Sequence, residues 1–128
     1  MVFENPKIVS VDTVLQLDNL HLPNYQRPYK WNVKNVSALL DDLEFAINEA
    51  YKYPDFKYRV GTIILHNDEI EGALNIVDGQ QRIISLALIC KTLNTSNNLS
   101  ILETSLSSKV SEENIMRNYL AIKAYFIE

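Results

Sequence analysis

The stretch NIVDGQQRIISLALI, at residues 75–89, constrains the fold more than any other part of the chain. Two apolar segments, one ending at Val77 and the other starting at Ile83, are separated by five polar or flexible residues. The first segment fits a strand, whereas the second has a helical period and is apolar on most sides. The pattern therefore predicts a strand that ends in a sharp turn and leads directly into a largely buried helix at residues 79–93.

The turn between these two segments has features of a phosphate-binding site. The first backbone N–H groups of a helix have no partner inside the helix, and the helix dipole adds positive charge there. Gly79 permits a sharp turn and the close approach of a ligand. Gln80 and Gln81 can donate and accept hydrogen bonds, and Arg82 adds a guanidinium suited to phosphate. A simpler interpretation also stays open, in which Asp78 only caps the helix and Gly79 only makes the turn.

The rest of the sequence predicts a mixed α and β protein. The predicted elements are a short helix at 13–17 capped by Ser10 or Asp12, a brief strand at 19–22, a helix at 33–51, strands at 58–67 and 70–78 joined by the turn HNDE, the helix at 79–93, and a last helix capped by Ser111. These elements predict a small sheet flanked by helices, with a hairpin formed by its two longer strands.

Two of the helices carry regular apolar faces. The apolar face of the helix at 33–51 consists of Val36, Leu39, Leu40, Leu43, Ala46, Ile47 and Ala50. The face of the last consists of Ile115, Met116, Tyr119, Leu120 and Ile122. Both follow the spacing of a helix with one buried side. No glycine, proline or polar tail follows residue 125, so we expect the protein to continue beyond residue 128.

Composition limits the function. Twelve basic and 16 acidic residues give a net charge of −4, which disfavours nonspecific duplex binding. Basic residues still cluster locally at Arg27, Lys30 and Lys34, so an anion site remains open. The one cysteine, Cys90, excludes an internal disulfide, and one thiol with two scattered histidines does not make a zinc site. No apolar run is long enough to span a bilayer and no signal peptide is visible, so we expect a cytoplasmic protein.

A second block, YQRPYKW at residues 25–31, combines aromatic and basic side chains. Arg27 and Lys30 can reach phosphates, and Tyr25, Tyr29 or Trp31 can stack on a base. The alternative is that Tyr29 and Trp31 cover the edge of the core.

Carboxylates and histidines elsewhere are less informative. Asp41 and Asp42 diverge by about 100° on their helix, so we expect them on a solvated face. Asp78 is the better candidate for orienting a water or a metal ion. His21 and His66 have no partner at catalytic spacing.

Both blocks match one known pattern. VDGQQRIISL resembles the DGQQR signature of the domain-of-unknown-function 262 family, the N-terminal domain of GmrSD-type modification-dependent restriction proteins. LPNYQRPYKWN is similar to that family's Ile-Pro-x-Tyr-Gln-Arg-x-Tyr-x-Trp pattern, and LLDDL and VGTIIL follow in the family's order. The resemblance covers most of residues 10–90.

The resemblance implies an α+β fold of the ParB/sulfiredoxin-like superfamily, whose members bind nucleotide phosphates at this turn. It implies a nucleotide-binding core at residues 1–95 and a helical extension at 96–128. The residues implied to bind the nucleotide are Tyr25, Gln26, Arg27, Gly79, Gln80, Gln81 and Arg82, and the catalytic candidates are Asp78, Gln81 and Arg82. Sulfur chemistry is excluded, because Gln80 stands where sulfiredoxins carry their cysteine. The family's usual Leu-Thr-Thr after the motif arginine is Ile83-Ile84-Ser85 here.

The leading hypothesis is a nucleotide-binding regulatory module of a restriction or phage-defence protein. Its ligand would be a nucleoside triphosphate of undetermined base, with magnesium implied by the triphosphate. Hydrolysis stays open, because no residue stands out as a general base. By resemblance, the nuclease belongs to a separate C-terminal domain, and DNA would be a partner of the full-length protein. The alternatives are a DNA-recognition module of ParB-like type and an interaction scaffold without a ligand.

Overall fold

A computed structural model of the chain describes residues 7–22, 29–93 and 109–127. The described residues form four helices, α1 (Val11–Leu15), α2 (Val33–Lys52), α3 (Gln80–Leu93) and α4 (Lys109–Ile127), and three strands, β1 (Leu20–His21), β2 (Ile64–Asp68) and β3 (Ala73–Asp78). The predicted α+β class is confirmed, and so are the hairpin and the strand that leads directly into α3.

The sheet has the order β1-β3-β2. β3 lies in the centre, parallel to β1 and antiparallel to β2, and its Ile76 is fully buried. The hairpin turn was predicted at HNDE but lies at residues 69–72, so that prediction was wrong by a few residues. Asp68 ends β2, and its Oδ1 accepts hydrogen bonds from the backbone N–H groups of Ile70 and Glu71. Gly72 supplies the positive φ, +69°, that closes the turn.

β2 begins at Ile64 rather than at residue 58, which corrects the predicted start. The strand register shifts between Ile64 and Leu65, where β2 meets the end of β3. The residues before this irregularity lie outside the sheet, because Gly61, Thr62 and Ile63 approach the start of α3 instead. Tertiary packing therefore overrides the strand preference of this segment.

Side-chain caps start the first two helices. Ser10, one of the two predicted caps, accepts a hydrogen bond from the backbone N–H of Thr13 through Oγ at 3.1 Å. Asn32 and Asn35 cap α2 reciprocally, each side-chain oxygen accepting the other's backbone N–H at 3.0 Å. α2 covers the predicted range, but its buried stripe ends at Ala46 and leaves Ile47 and Ala50 exposed.

The core lies around α3, in which every residue from 83 to 89 is buried. Other members of the same buried cluster are Val14, Leu15, Leu20, Tyr29, Val36, Leu39, Leu40, Ile76 and Ile122. Ile122 brings α4 into this core. Tyr125 donates a hydrogen bond to Glu44 Oε2 on α2 at 2.5 Å, and this bond raises the pKa of Tyr125 to about 12. The boundary expected near residue 95 lies outside the described residues.

Two predictions for α4 were wrong. The helix begins at Lys109, so Ser111 lies within it and does not cap it, because nothing in Lys109-Val110-Ser111 prevents helical dihedral angles. Met116 and Leu120 are exposed although both belong to the predicted apolar face, because α4 packs on α2 and α3 through the side that carries Ile122. No helix in the described ranges combines the length and apolarity needed to cross a membrane.

Candidate functional site

The two sequence blocks meet at the first turn of α3. Gln81, in this turn, accepts hydrogen bonds through Oε1 from the backbone N–H groups of Lys30 and Trp31, at 2.7 and 3.1 Å. One side-chain oxygen of the DGQQR block therefore fixes the end of the YQRPYKW block. Residues that are 50 and 51 positions apart in sequence form one local structure.

A buried hydrogen-bond chain continues from this contact. Ser85 Oγ donates to the backbone oxygen of Gln81 at 2.9 Å, so the hydroxyl of Tyr29, 2.7 Å from Ser85 Oγ, must donate to Ser85. The same Tyr29 hydroxyl accepts from Asn118 Nδ2 of α4 at 2.8 Å. Burial raises the pKa of Tyr29, while its bonds to Ser85 and Asn118 act to lower it. Tyr29 is fully buried, so the hypothesis that it stacks on a base was wrong and the alternative of a structural role is confirmed for this residue, whereas Trp31 is half-buried.

α4 also holds the backbone of this block. Asn114 Nδ2 donates to the carbonyl oxygen of Tyr29 at 3.0 Å, and Asn118 Nδ2 donates to that of Trp31 at 2.8 Å. Asn118 is fully buried, and its Oδ1 has no hydrogen-bond partner in the part of the chain that the structure describes. Neither asparagine was predicted from the sequence, because the contacts span 85–89 residues and follow no local pattern.

Replacing Tyr29 by phenylalanine is expected to lower the free energy of unfolding by about 1–3 kcal/mol, since Asn118 loses an acceptor and Ser85 a donor inside the core. Urea unfolding measures this difference. Tyr119→Phe is the matched control, because the Tyr119 hydroxyl makes no hydrogen bond to the described residues. Equal losses of unfolding free energy in the two variants would show that the buried hydrogen bonds of Tyr29 do not contribute to stability.

The segment that precedes β2 packs against the turn at Gly79. Gly79 has a φ of +95°, which confirms that it makes the turn. A Cβ at Gly79 would lie 2.6 Å from Ile63 Cγ2 and 3.2 Å from the Thr62 carbonyl oxygen. The expectation that Gly79 leaves room for a ligand was therefore wrong on this side, because Ile63 occupies the space.

Asp78 ends β3 opposite Ile64 and is exposed. Its carboxylate makes no hydrogen bond to the described residues, so it does not cap α3 there. The residue before α3 is Gly79, whose carbonyl oxygen accepts from the Ile83 N–H at 3.1 Å. Asp78 thus remains an exposed carboxylate beside the turn.

Arg82 lies in a cleft of about 210 Å³ between α2, α3 and the segment before β2. The other lining residues are Trp31, Asn35, Ala38, Leu39, Asp42, Tyr58 and Val60. Its Nη1 lies so close to Gly61 that a Cβ there would collide with it. Arg82 is half-buried, and its guanidinium makes no hydrogen bond or ion pair with the described residues. A cation held in this way is available to an anion from solution.

Asp42 faces Arg82 across the same cleft. The Tyr58 hydroxyl donates to Asp42 Oδ2 at 3.4 Å. Partial burial raises the pKa of Tyr58, and the negative charge of Asp42 raises it further, whereas the positive charge of Arg82 lowers it. The charges of both Asp42 and Arg82 therefore act on this hydroxyl. Asp41 and Asp42 are exposed, as predicted, but the role of Asp42 in a cleft was missed. Its i, i+7 spacing from Asn35 and i, i+3 spacing from Leu39 was a signal that it shares their helix face.

Of the remaining predicted site residues, Gln80 is described by the structure and three others are not. Gln80 is half-buried at the first position of α3. Tyr25, Gln26 and Arg27 lie outside the described residues. Within residues 7–22, 29–93 and 109–127, no three histidine, cysteine or acidic side chains are grouped closely enough to hold a metal ion.

Comparison with known proteins adds one finding. A protein-family model described as "GmrSD restriction endonuclease, N-terminal domain" matches residues 11–126, from the first residue of α1 into the last turn of α4. Both sequence blocks and every described strand fall inside the matched range. No curated protein gives a significant match to the chain.

Proposed function

Because this chain belongs to the family of GmrSD restriction endonuclease N-terminal domains, we propose that it binds a nucleoside triphosphate and acts as a regulatory domain. Membership places the chain in a restriction and phage-defence family. The matched description is that of an N-terminal domain, so we assign DNA cleavage to another domain of the full-length protein. DNA would then be bound by that full-length protein.

The observation that carries this proposal is the state of Arg82. Arg82 is half-buried, its Nη1 lies against Gly61, and its guanidinium has no anionic or hydrogen-bonding partner among the described residues. A phosphate supplies both charge and a bidentate acceptor geometry. Arg82 is also in the first turn of the 14-residue helix α3, where the helix dipole favours negative charge.

The other motif residues take different roles in this proposal. Gln81 is a positioning residue, because its Oε1 already accepts two backbone N–H groups of the neighbouring block. Gln80 lies at the first position of α3, where it can contact phosphate oxygens, and Gly79 shapes the turn. Arg27 would be a second clamp, and Tyr25 and Gln26 would complete the site.

Magnesium would accompany the triphosphate. Asp78 is exposed beside the turn and makes no hydrogen bond to the described residues. One carboxylate together with phosphate oxygens and waters is a common way for proteins to bind Mg²⁺. We propose binding as the primary activity, with Asp78 as the residue that would orient a metal-bound water if hydrolysis occurs.

Arg82→Ala is expected to weaken triphosphate binding about 10- to 100-fold, the loss typical of a charge-assisted hydrogen-bond pair. Calorimetric titration with ATP, GTP, CTP and UTP in the presence of magnesium measures the loss. Arg117→Ala, which removes an exposed arginine on α4, is the matched control and should bind like the original protein.

Three results would contradict the proposal. The first is equal affinity in Arg82→Ala and Arg117→Ala. The second is the absence of saturable binding by all four nucleotides in the original protein. The third is salt-dependent binding to an oligonucleotide without nucleotide binding, which would favour the DNA-recognition alternative instead.

A further inference from the structure

The cleft that contains Arg82 has walls of opposite charge. Arg82 extends from α3 on one side and Asp42 from α2 on the other, and the two form no ion pair. Asp42 disfavours a triphosphate inside this cleft, because like charges repel. A ligand that places its anionic part near Arg82 and an uncharged part, rich in hydrogen-bond donors, near Asp42 suits both walls.

The size and lining of the cleft restrict that uncharged part. About 210 Å³ is less than the roughly 300–1,000 Å³ of most small-molecule pockets, so only a fragment of a nucleotide fits. Trp31, Leu39 and Val60 give apolar walls against which a flat ring can pack. The triphosphate would then remain outside, along the first turn of α3.

The polar atoms of the cleft match the edge of a base. Asp42 is an acceptor, and its Oδ2 is oriented by the Tyr58 hydroxyl. Asn35 uses Oδ1 and its backbone N–H in the cap of α2, which leaves its Nδ2 as a donor. The cleft therefore combines a carboxylate acceptor, an amide donor and an apolar wall.

We propose that this cleft binds the nucleobase of the nucleotide and that Asp42 is the residue that determines base specificity. This inference rests on the proposed function. A carboxylate offers two adjacent acceptors, and guanine is the one common base whose Watson–Crick edge presents two adjacent N–H donors. GTP is therefore the expected preferred ligand, with Asn35 Nδ2 available for an acceptor atom of the ring.

Asp42→Asn tests this assignment, because asparagine keeps the shape and replaces one acceptor by a donor. Isothermal titration with the four nucleoside triphosphates and with inorganic tripolyphosphate, all with magnesium, measures base specificity separately from phosphate binding. We expect a loss of about tenfold in GTP affinity and no change in tripolyphosphate affinity. Unchanged tripolyphosphate binding also shows that the variant is folded.

Asp41→Asn is the control, because Asp41 is exposed and lies outside the lining of the cleft. It should keep the original order of affinities. An unaltered order in Asp42→Asn, or an equal loss for tripolyphosphate and GTP, would overturn the inference while leaving nucleotide binding intact. If the original protein bound neither the nucleotides nor tripolyphosphate, that result would instead overturn the proposed function, and the inference with it.

Discussion

Replacing Gly79 by alanine is expected to lower the free energy of unfolding by about 2–6 kcal/mol, the sum of two costs. The φ of +95° is unfavourable for any residue with a Cβ, which accounts for about 1–3 kcal/mol. The added Cβ would also lie 2.6 Å from Ile63 Cγ2, and relieving that overlap costs about another 1–3 kcal/mol. Urea unfolding followed by circular dichroism measures the total.

Gly72→Ala is the matched control for this experiment. Gly72 also has a positive φ, +69°, but a Cβ there would meet no atom within 4 Å. Its substitution should cost only the backbone strain, about 1–2 kcal/mol. In an Ile63→Ala background the cost of Gly79→Ala should fall, because the Cγ2 methyl group is absent, but it should stay above that of Gly72→Ala, because the Cβ of residue 63 and the Thr62 carbonyl oxygen remain 3.2 Å away. Equal costs for the two glycines in the original background would contradict the close packing of Gly79 against Ile63.

Ile122→Ala is expected to lower the free energy of unfolding by about 2–5 kcal/mol. Ile122 is 0% exposed on α4 and belongs to the same buried cluster as the core of α3. Removing three of its carbon atoms leaves a cavity that rigid neighbouring helices fill poorly. We expect a single unfolding transition at lower urea concentration, because α4 and the sheet-bearing core share that cluster.

Leu120→Ala, on the same helix, is the control for Ile122. Leu120 is 58% exposed, so its loss should change stability by about 0.5 kcal/mol or less. A mild effect of Ile122→Ala, or a separate early transition for α4, would show that this helix folds independently of the core.

The sequence predicted those parts of the fold in which a hydrophobic period dominates. The 75–89 stretch and the stripe of α2 each contain enough apolar residues at a constant spacing to define their elements. Element ends were less predictable, because they depend on particular contacts. Asp68 moves the hairpin turn by binding two backbone N–H groups, and Ile63 leaves the sheet to pack on Gly79. Neither contact is visible as a local pattern.

The residues of the candidate site also differ in how well the sequence predicted them. Arg82 was expected at an anion site from its position in a strand–turn–helix, and the structure places it in a cleft beside that turn. Asp42 and Asn118 were missed, because a single polar residue on a helix gives no sign of which neighbour it faces. Tyr29 was ambiguous for the opposite reason. An aromatic residue beside cations is compatible with a base contact, and only its complete burial against Ser85 and Asn118 shows a structural role.

The most direct test of nucleotide binding at the start of α3 is a residue-resolved titration of backbone amide and indole NMR signals with each nucleoside triphosphate and magnesium. Binding as proposed predicts saturable shifts that are largest for Gly79 through Arg82 and for the Trp31 indole, and that disappear in Arg82→Ala. Saturable shifts centred elsewhere, such as on the exposed face of α4 near Met116 and Leu120, would contradict this location. No shift with any of the four nucleotides would contradict nucleotide binding itself.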